Sequence, residues 1–216
     1  MITAGNNLEQ AQRDLLKMGN LVEETMKMAI QALREQNPQL ALVVIERDDT
    51  IDNLQIVIEE EIERTVSNTP PLGFDLKRDF AMIKIVNDLE RIGDYATNIA
   101  EVVLELKNQA YLKPLVHIPQ LATVAMQMVS TVLKAFVEKD IDLAEAVCRK
   151  DEEADNLYDE ICAELVKMTG AEADPVKAYQ ASRFLLVSEW LERAADHATN
   201  IGEQTIYILT GKRVKY

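Results

Sequence analysis

The 216-residue chain is short of most things that punctuate a polypeptide. Seven Gly and six Pro are too few for the many tight turns of an all-β fold. Two Cys, Cys148 and Cys162, make no disulfide framework. If both lie in one helix, a rise of ~1.5 Å per residue sets them roughly 21 Å apart, where a bridge spans roughly 7 Å at most. They read as small core or boundary thiols. Basic residues are scarce too: 23 Lys and Arg against 37 Asp and Glu leave a net charge of −14 and a pI near 4.6. That balance repels phosphate backbones and anionic surfaces, so neither nucleic-acid nor membrane-surface binding is expected. Met1 to Asn6 shows no charged n-region leading into an apolar stretch, so no secretory signal is expected. No apolar run approaches the ~18 residues of a membrane span, so membrane insertion is not expected and a cytoplasmic location is.

What is present is helical pattern. The breaks fall at Asn37-Pro38, Asn68 to Gly73, Pro114 to Pro119, Lys139-Asp140 and Gly170 to Pro175. Between them lie six periodic segments, 7–36, 38–68, 75–111, 118–139, 141–169 and 174–210. In the third, Met82, Ile85, Leu89, Ile92, Ala96, Ile99, Val103 and Leu106 step by three and four residues, which makes an apolar seam. The sixth repeats this with Phe184, Val187, Leu191, Ala194, Ala198, Ile201, Thr205 and Ile208.

The chain also repeats itself. Leu89 to Glu101 reads LERIGDYATNIAE and Leu191 to Glu203 reads LERAADHATNIGE, nine of thirteen positions identical at an offset of 102. Asp48 to Leu54 matches Asp151 to Leu157 at an offset of 103, and Ala32 to Ala41 aligns with Ala135 to Ala144. The expected fold is therefore all-α, two pseudo-symmetric antiparallel three-helix bundles, residues 1–111 and 112–216, with the linker near Leu112 to Pro119.

Acids occupy 37 of 216 positions, so about six acid pairs at i,i+4 arise by chance and a single pair carries little. The repeat, however, preserves Glu90/Glu192, Asp94/Asp196, Asn98/Asn200 and Glu101/Glu203. At ~100° per residue these fall in a stripe roughly 80° wide, nearly opposite the seam, and are expected to face outward. Like charges at i,i+4 cost a few tenths of a kcal/mol each, so a compensating positive charge is expected. Asp48/Asp52 and Asp151/Asp155 on the preceding helix repeat the spacing, and antiparallel packing can bring Asp48 and Asp52 alongside Glu90 and Asp94. Carboxylates with an amide oxygen suit Mg²⁺, Ca²⁺, Mn²⁺, iron or Zn²⁺. Arg91 and Arg193 either brace these carboxylates, recruit an anion, or form ordinary intrahelical salt bridges. His197 is a nitrogen ligand candidate in the second site alone, since Tyr95 takes its place in the first. His117 reads as a loop residue and Trp190 as boundary packing.

DLERIGDYATNIAE and WLERAADHATNIGE resemble the paired third-helix motifs of the PhoU family of phosphate-transport and phosphate-signalling regulators. Leu15 to Leu33, the RDDTIDNL stretch and the NTPPLGFDLKRDF loop are similar to that family's first half. The resemblance spans essentially the whole chain. It implies two three-helix bundles, a cytoplasmic homodimer, and repression of the phosphate-starvation response. The implied partners are the phosphate ABC transporter, through its ATPase subunit, and a sensor histidine kinase. It also implies metal ions, among them multinuclear iron clusters, with Zn, Mn or Mg as alternatives. The ligand role carries over to Asp48, Asp52, Glu90 and Asp94, and to Asp151, Asp155, Glu192 and Asp196; Asn98 and Asn200 match the motif's Asn. Tyr95 stands where the family often has His, so the two sites are expected to bind unequally.

The competing readings are a helical scaffold without metal and a carboxylate di-iron protein. The latter needs inward Glu-x-x-His motifs, and none occurs here. Ser130, Ser182 and Ser188 have no His nearby in sequence and no Gly-rich phosphate loop is present, so no enzyme is expected. Phosphate binding through a metal or through Arg91 and Arg193 stays open.

Overall fold

The computed structural model describes residues 4–68, 70, 72–171 and 174–216. Residues 1–3 of the N-terminal stretch, and turn positions 69, 71, 172 and 173, lie outside the described residues. Seven helices follow in order: α1 (Ala4–Glu35), α2 (Pro38–Glu46), α3 (Asp48–Asn68), α4 (Phe74–Glu105), α5 (His117–Glu138), α6 (Ile141–Ala171) and α7 (Pro175–Thr210). Helices make up 87% of the described residues, and no strand occurs among them. The expected all-α architecture holds.

The helix starts follow local chemistry. Asn37 accepts from the Leu40 N–H at 3.1 Å with Pro38 in the first turn. Asp174 accepts from Val176 and Lys177 ahead of the same Pro arrangement. Each cap satisfies N–H groups that have no intrahelical partner, and Pro there sacrifices no bond.

The segment expected as one helix over 38–68 is two. Around Arg47 the bonding tightens to three-residue spacing, with Arg47 N to Val44 O at 3.1 Å and Thr50 N to Arg47 O at 3.0 Å. The Arg47 side chain meanwhile reaches Glu24 on α1 at 3.5 Å. Asp48 thereby opens α3, where the positive end of the helix dipole favours a carboxylate. In the second copy α6 runs unbroken past Asp151.

Both sequence-read seams are buried along α4 and α7. These two helices, each the third of its repeat, pack antiparallel: Lys77 lies 5.7 Å over the Tyr207 ring at one end, and Arg183 Nε meets Glu105 at 2.8 Å at the other. One continuous buried cluster, including Leu15, Met18, Leu89, Val129 and Phe184, passes through both halves. The linker is held as well. Buried Gln180 donates to Gln109 Oε1 and the Ala110 carbonyl and accepts from Leu112 N–H at 2.8 Å. His117 is no loop residue; it opens α5 with Nδ1 3.2 Å from Glu164. Helix α5 has the length and mean hydropathy, 1.3, of a membrane span, contrary to the sequence expectation. Here 61% of that stretch is buried inside the bundle, as expected of a core helix.

A Cβ at Gly202 would lie 2.7 Å from Cys148 Sγ and 3.3 Å from the Ala144 carbonyl, so α7 approaches α6 through a glycine. Gly202→Ala gains about 1 kcal/mol of helix propensity but overpacks at a typical cost of about 1–3 kcal/mol. We expect a lower urea midpoint for Gly202→Ala and recovery on adding Cys148→Ala; an unchanged midpoint would refute the close approach.

Candidate metal centre

The seam on α4 turns Leu89, Ile92 and Ala96 into the core, so Glu90 and Asp94 fall toward the groove against α3. The stripe is outward only in part: Glu101, Asp196 and Asn200 are exposed as expected, whereas Glu90, Asp94, Asn98, Glu192 and Glu203 are half-buried. The Glu90 and Asp94 side chains retain only 19% and 32% of their exposure. Asp48, Asp52 and Asp94 each offer an oxygen, and these oxygens lie within 4.8 Å of one another. Asn98 is half-buried one turn beyond Asp94 on the same face.

Such crowding has an electrostatic cost. Burial, then the neighbouring Asp48 and Asp49 charges, pushes the Asp52 pKa up. Burial raises Glu90 as well, followed by Asp94. Asp94 is raised by burial and then by Asp48. Arg91 opposes the last two, standing 3.6 Å from Glu90 and 3.3 Å from Asp94. Thr97 donates to Asp48 Oδ1 at 3.0 Å. Of the readings open for Arg91, the structure realises the intrahelical salt bridge, which here also braces the carboxylates.

In the second half Asp151, Asp155, Glu192 and Asp196 again feel one another, with less compensation. Burial and the Asp196 and Asp155 charges lift Asp151 to about 6. Burial, Asp196 and Asp155 lift Glu192 to about 7. Asp196 is raised by burial and then Asp155. Arg193 turns away to Glu189 at 2.7 Å. Asp151 Oδ1 and Thr199 Oγ1 are both buried and form no well-aligned hydrogen bond, although the nearby Thr199 hydroxyl opposes the rise at Asp151. Glu192, Asp196 and exposed Asn200 line an open cavity of about 420 Å³ with Tyr95 and Tyr158. An orphaned buried carboxylate oxygen among four acids fits a hard or borderline cation, which would restore the missing charge and coordination.

His197 does not join that donor set. Its Nδ1 lies 2.8 Å from Asp88 and its Nε2 3.3 Å from the Tyr95 hydroxyl, so both ring nitrogens are engaged. Tyr95 and His197 occupy one position of the repeat and meet across the α4–α7 contact, ring centroids 5.8 Å apart. The sequence reading missed Asp88, whose partner lies 109 residues away. It also passed over Thr97, although the preserved ATN in both motifs was the available signal. Glu203 leaves the stripe to accept the Tyr216 N–H at 3.0 Å. Ser182 and Ser188 donate to carbonyls of their own helix. Trp190 packs at the core boundary, Cys148 is buried and Cys162 half-buried.

Because Asp151 and Glu192 hold protons in the folded chain up to about 6 and about 7, against 3.8 and 4.5 ordinarily, the folded state binds more protons than the unfolded one across that window. Stability must then fall as pH rises through it. Chelator-treated protein should melt higher near pH ~5 than near pH ~7.5, and Asp151→Asn/Glu192→Gln should flatten the slope. Calorimetry showing equal or rising stability would overturn the assignment.

The PhoU domain family model matches twice, over residues 15–103 and 118–205. A phosphate-specific transport system accessory protein PhoU homolog of Clostridium acetobutylicum is 36% identical over 97% of this chain and 95% of its own length. The Aquifex aeolicus homolog of the same description is 39% identical over 97% and 94%. The crystal structure of PhoU from Pseudomonas aeruginosa superposes with a TM-score of 0.92 at 33% identity, covering 97% of this chain and 100% of the other. The phosphate transport system regulatory protein PhoU from Streptococcus pneumoniae gives 0.90 at 27% identity, over 99% and 100%. Two motif copies, two family matches and a shared fold along the whole length make one statement: this chain belongs to the PhoU family.

Proposed function

We propose that this protein is a metal-binding accessory regulator of phosphate uptake, which represses the phosphate-starvation response when phosphate is plentiful. The reading rests on full-length membership of a family whose relatives are named accessory proteins of a phosphate-specific transport system. It acts by binding rather than by catalysis. It works in the cytoplasm as a homodimer, between the ATPase subunit of the phosphate ABC transporter and a sensor histidine kinase. Deletion in the source bacterium should raise a phosphate-starvation reporter in phosphate-rich medium; unchanged output would count against the role.

The duplicated carboxylate groups support the metal part of this reading. Asp48, Asp52, Glu90 and Asp94, with Asn98 at the edge, hold one ion or cluster; Asp151, Asp155, Glu192 and Asp196, with Asn200, hold the other. Iron suits this donor set, as do Mn²⁺, Zn²⁺ and Mg²⁺. The bound cation supplies positive charge that lets the acids stay ionised in a half-buried groove. With ~4–6 Å separations and an effective dielectric near ~20–80, each repulsion it cancels is worth ~1–4 kcal/mol.

Bound metal should therefore raise the melting temperature and chelation lower it. Glu90→Gln/Asp94→Asn removes repulsion and ligands together, so apo variant should melt at or above apo wild type. Titration with Fe²⁺, Mn²⁺, Zn²⁺ and Mg²⁺ should show one set of sites lost in that variant and the other in Glu192→Gln/Asp196→Asn. Identical responses of wild type and both variants would favour the metal-free scaffold.

A further inference from the structure

The two units differ most on the outer face of their middle helices. Helices α2 and α3 together correspond to α6, so at the offset of 103 their exposed positions compare one for one. Leu42, Val43, Ile56 and Val57 are 51%, 43%, 53% and 44% exposed. The second unit carries Glu145, Ala146, Asp159 and Glu160 in their places. The fold accepts acids at these positions, so neither the core nor helix formation requires the apolar residues. They also share one face. Steps of four and three connect Leu42, Glu46, Asp49, Asn53, Ile56 and Glu60, and steps of seven connect Val43, Thr50, Val57 and Arg64. All ten are exposed. Asp48 and Asp52 are turned from this face toward Asp94 on α4.

We propose that a second copy of this chain covers this face, α3 against α3 in antiparallel sense, with the two-fold axis between Ile56 and Val57. The proposal rests on the homodimer stated above and gives it a surface. The polar residues select this occupant, because about that axis they complement themselves. Ile56 then faces Val57 of the second copy, Asn53 faces Glu60, Thr50 faces Glu63, Asp49 faces Arg64 and Glu46 faces Ser67. Every acid on the face meets a neutral or positive residue. Arg64, which within its own chain moderates Glu61, gains an acid across the contact. Sliding the pair by seven residues either way sets Glu60 against Glu46 or against itself, and like charges brought together are costly. Leu42 and Val43 come level with the turn beyond the second copy's α3, where Leu72 is 83% exposed. The same register applied to α6 opposes Asp159 to Glu160, so the second unit does not pair this way. One isologous contact per chain closes as a dimer and does not propagate.

The test is sedimentation velocity on the full chain over a concentration series, in chelator so that metal occupancy does not enter. Wild type should be a dimer. Ile56→Asp/Val57→Glu installs the second unit's own residues and should weaken dimerisation at least ~10-fold. Arg64→Glu sets a carboxylate against Asp49 and should also weaken it, whereas Asp49→Arg/Arg64→Glu exchanges the two signs and should restore it. Lys167→Glu, the repeat equivalent of Arg64→Glu, should leave the dimer unchanged. Circular dichroism melts establish that each variant is folded, and the apolar and charge variants are independent if one is not. A dimer that survives both Ile56→Asp/Val57→Glu and Arg64→Glu overturns this surface and leaves the homodimer standing. A monomeric wild type at every concentration overturns both.

Discussion

The antiparallel contact of α4 with α7 is the constraint on which the other positions depend. Each helix spends its three-four seam on this contact and on its own half's first helix, so the faces left over are determined. Glu90 and Asp94 are carried into the groove beside α3, and Glu192 and Asp196 into the groove beside α6. The like-charged stripe is thus a consequence of where the apolar residues had to go, and its electrostatic cost is imposed by packing. The same contact brings Tyr95 to its repeat-equivalent His197.

Duplication produced two groups of acids from nearly the same motif, yet their surroundings diverge. In the first half Arg91 lies against both acids of α4 and Thr97 hydrogen-bonds Asp48. In the second half Arg193 pairs with Glu189, and the equivalent Thr199 and Asp151 make no well-aligned hydrogen bond. Identical residues at the same repeat positions therefore sit in different fields. Three first-half acids converge while partly compensated; in the second half burial and neighbouring acids push Asp151 to about 6 and Glu192 to about 7. The surroundings of the two acid groups thus differ by more than the Tyr95 for His exchange. The difference lies in which way one arginine folds down along its helix.

Acids dominate the composition, yet the cations near the start of α4 and the end of α7 rest on Phe74 and Tyr207. Aromatic rings hold long cationic side chains in place without cancelling them, which is how a small basic surface survives on a strongly acidic chain.

Much was legible in the sequence because it depends on period and repetition. The 3,4 spacing of Leu89, Ile92 and Ala96 identifies a helix and its buried face whatever packs there, and the LER…ATN…E repeat implies two copies of one unit. The acids to examine, Asp48, Asp52, Glu90 and Asp94 with their repeats, followed from preservation across the copies. Tertiary structure decided what those patterns leave open. A helical wheel has no neighbours, so it did not show that α3 and α6 half-bury Glu90, Asp94 and Glu192 while Asp196 and Asn200 stay exposed. The three-residue tightening at Arg47 goes with an ion pair to Glu24 on another helix, which no local pattern signals. The Asp88–His197 pair spans 109 residues, and the cleft lined by Leu16, Phe136 and Ile208 is assembled from helices far apart in the chain. Periodicity along one helix determines which side faces the core; only packing between helices decides which charges meet, because that distance is set by chain segments the local sequence does not contain.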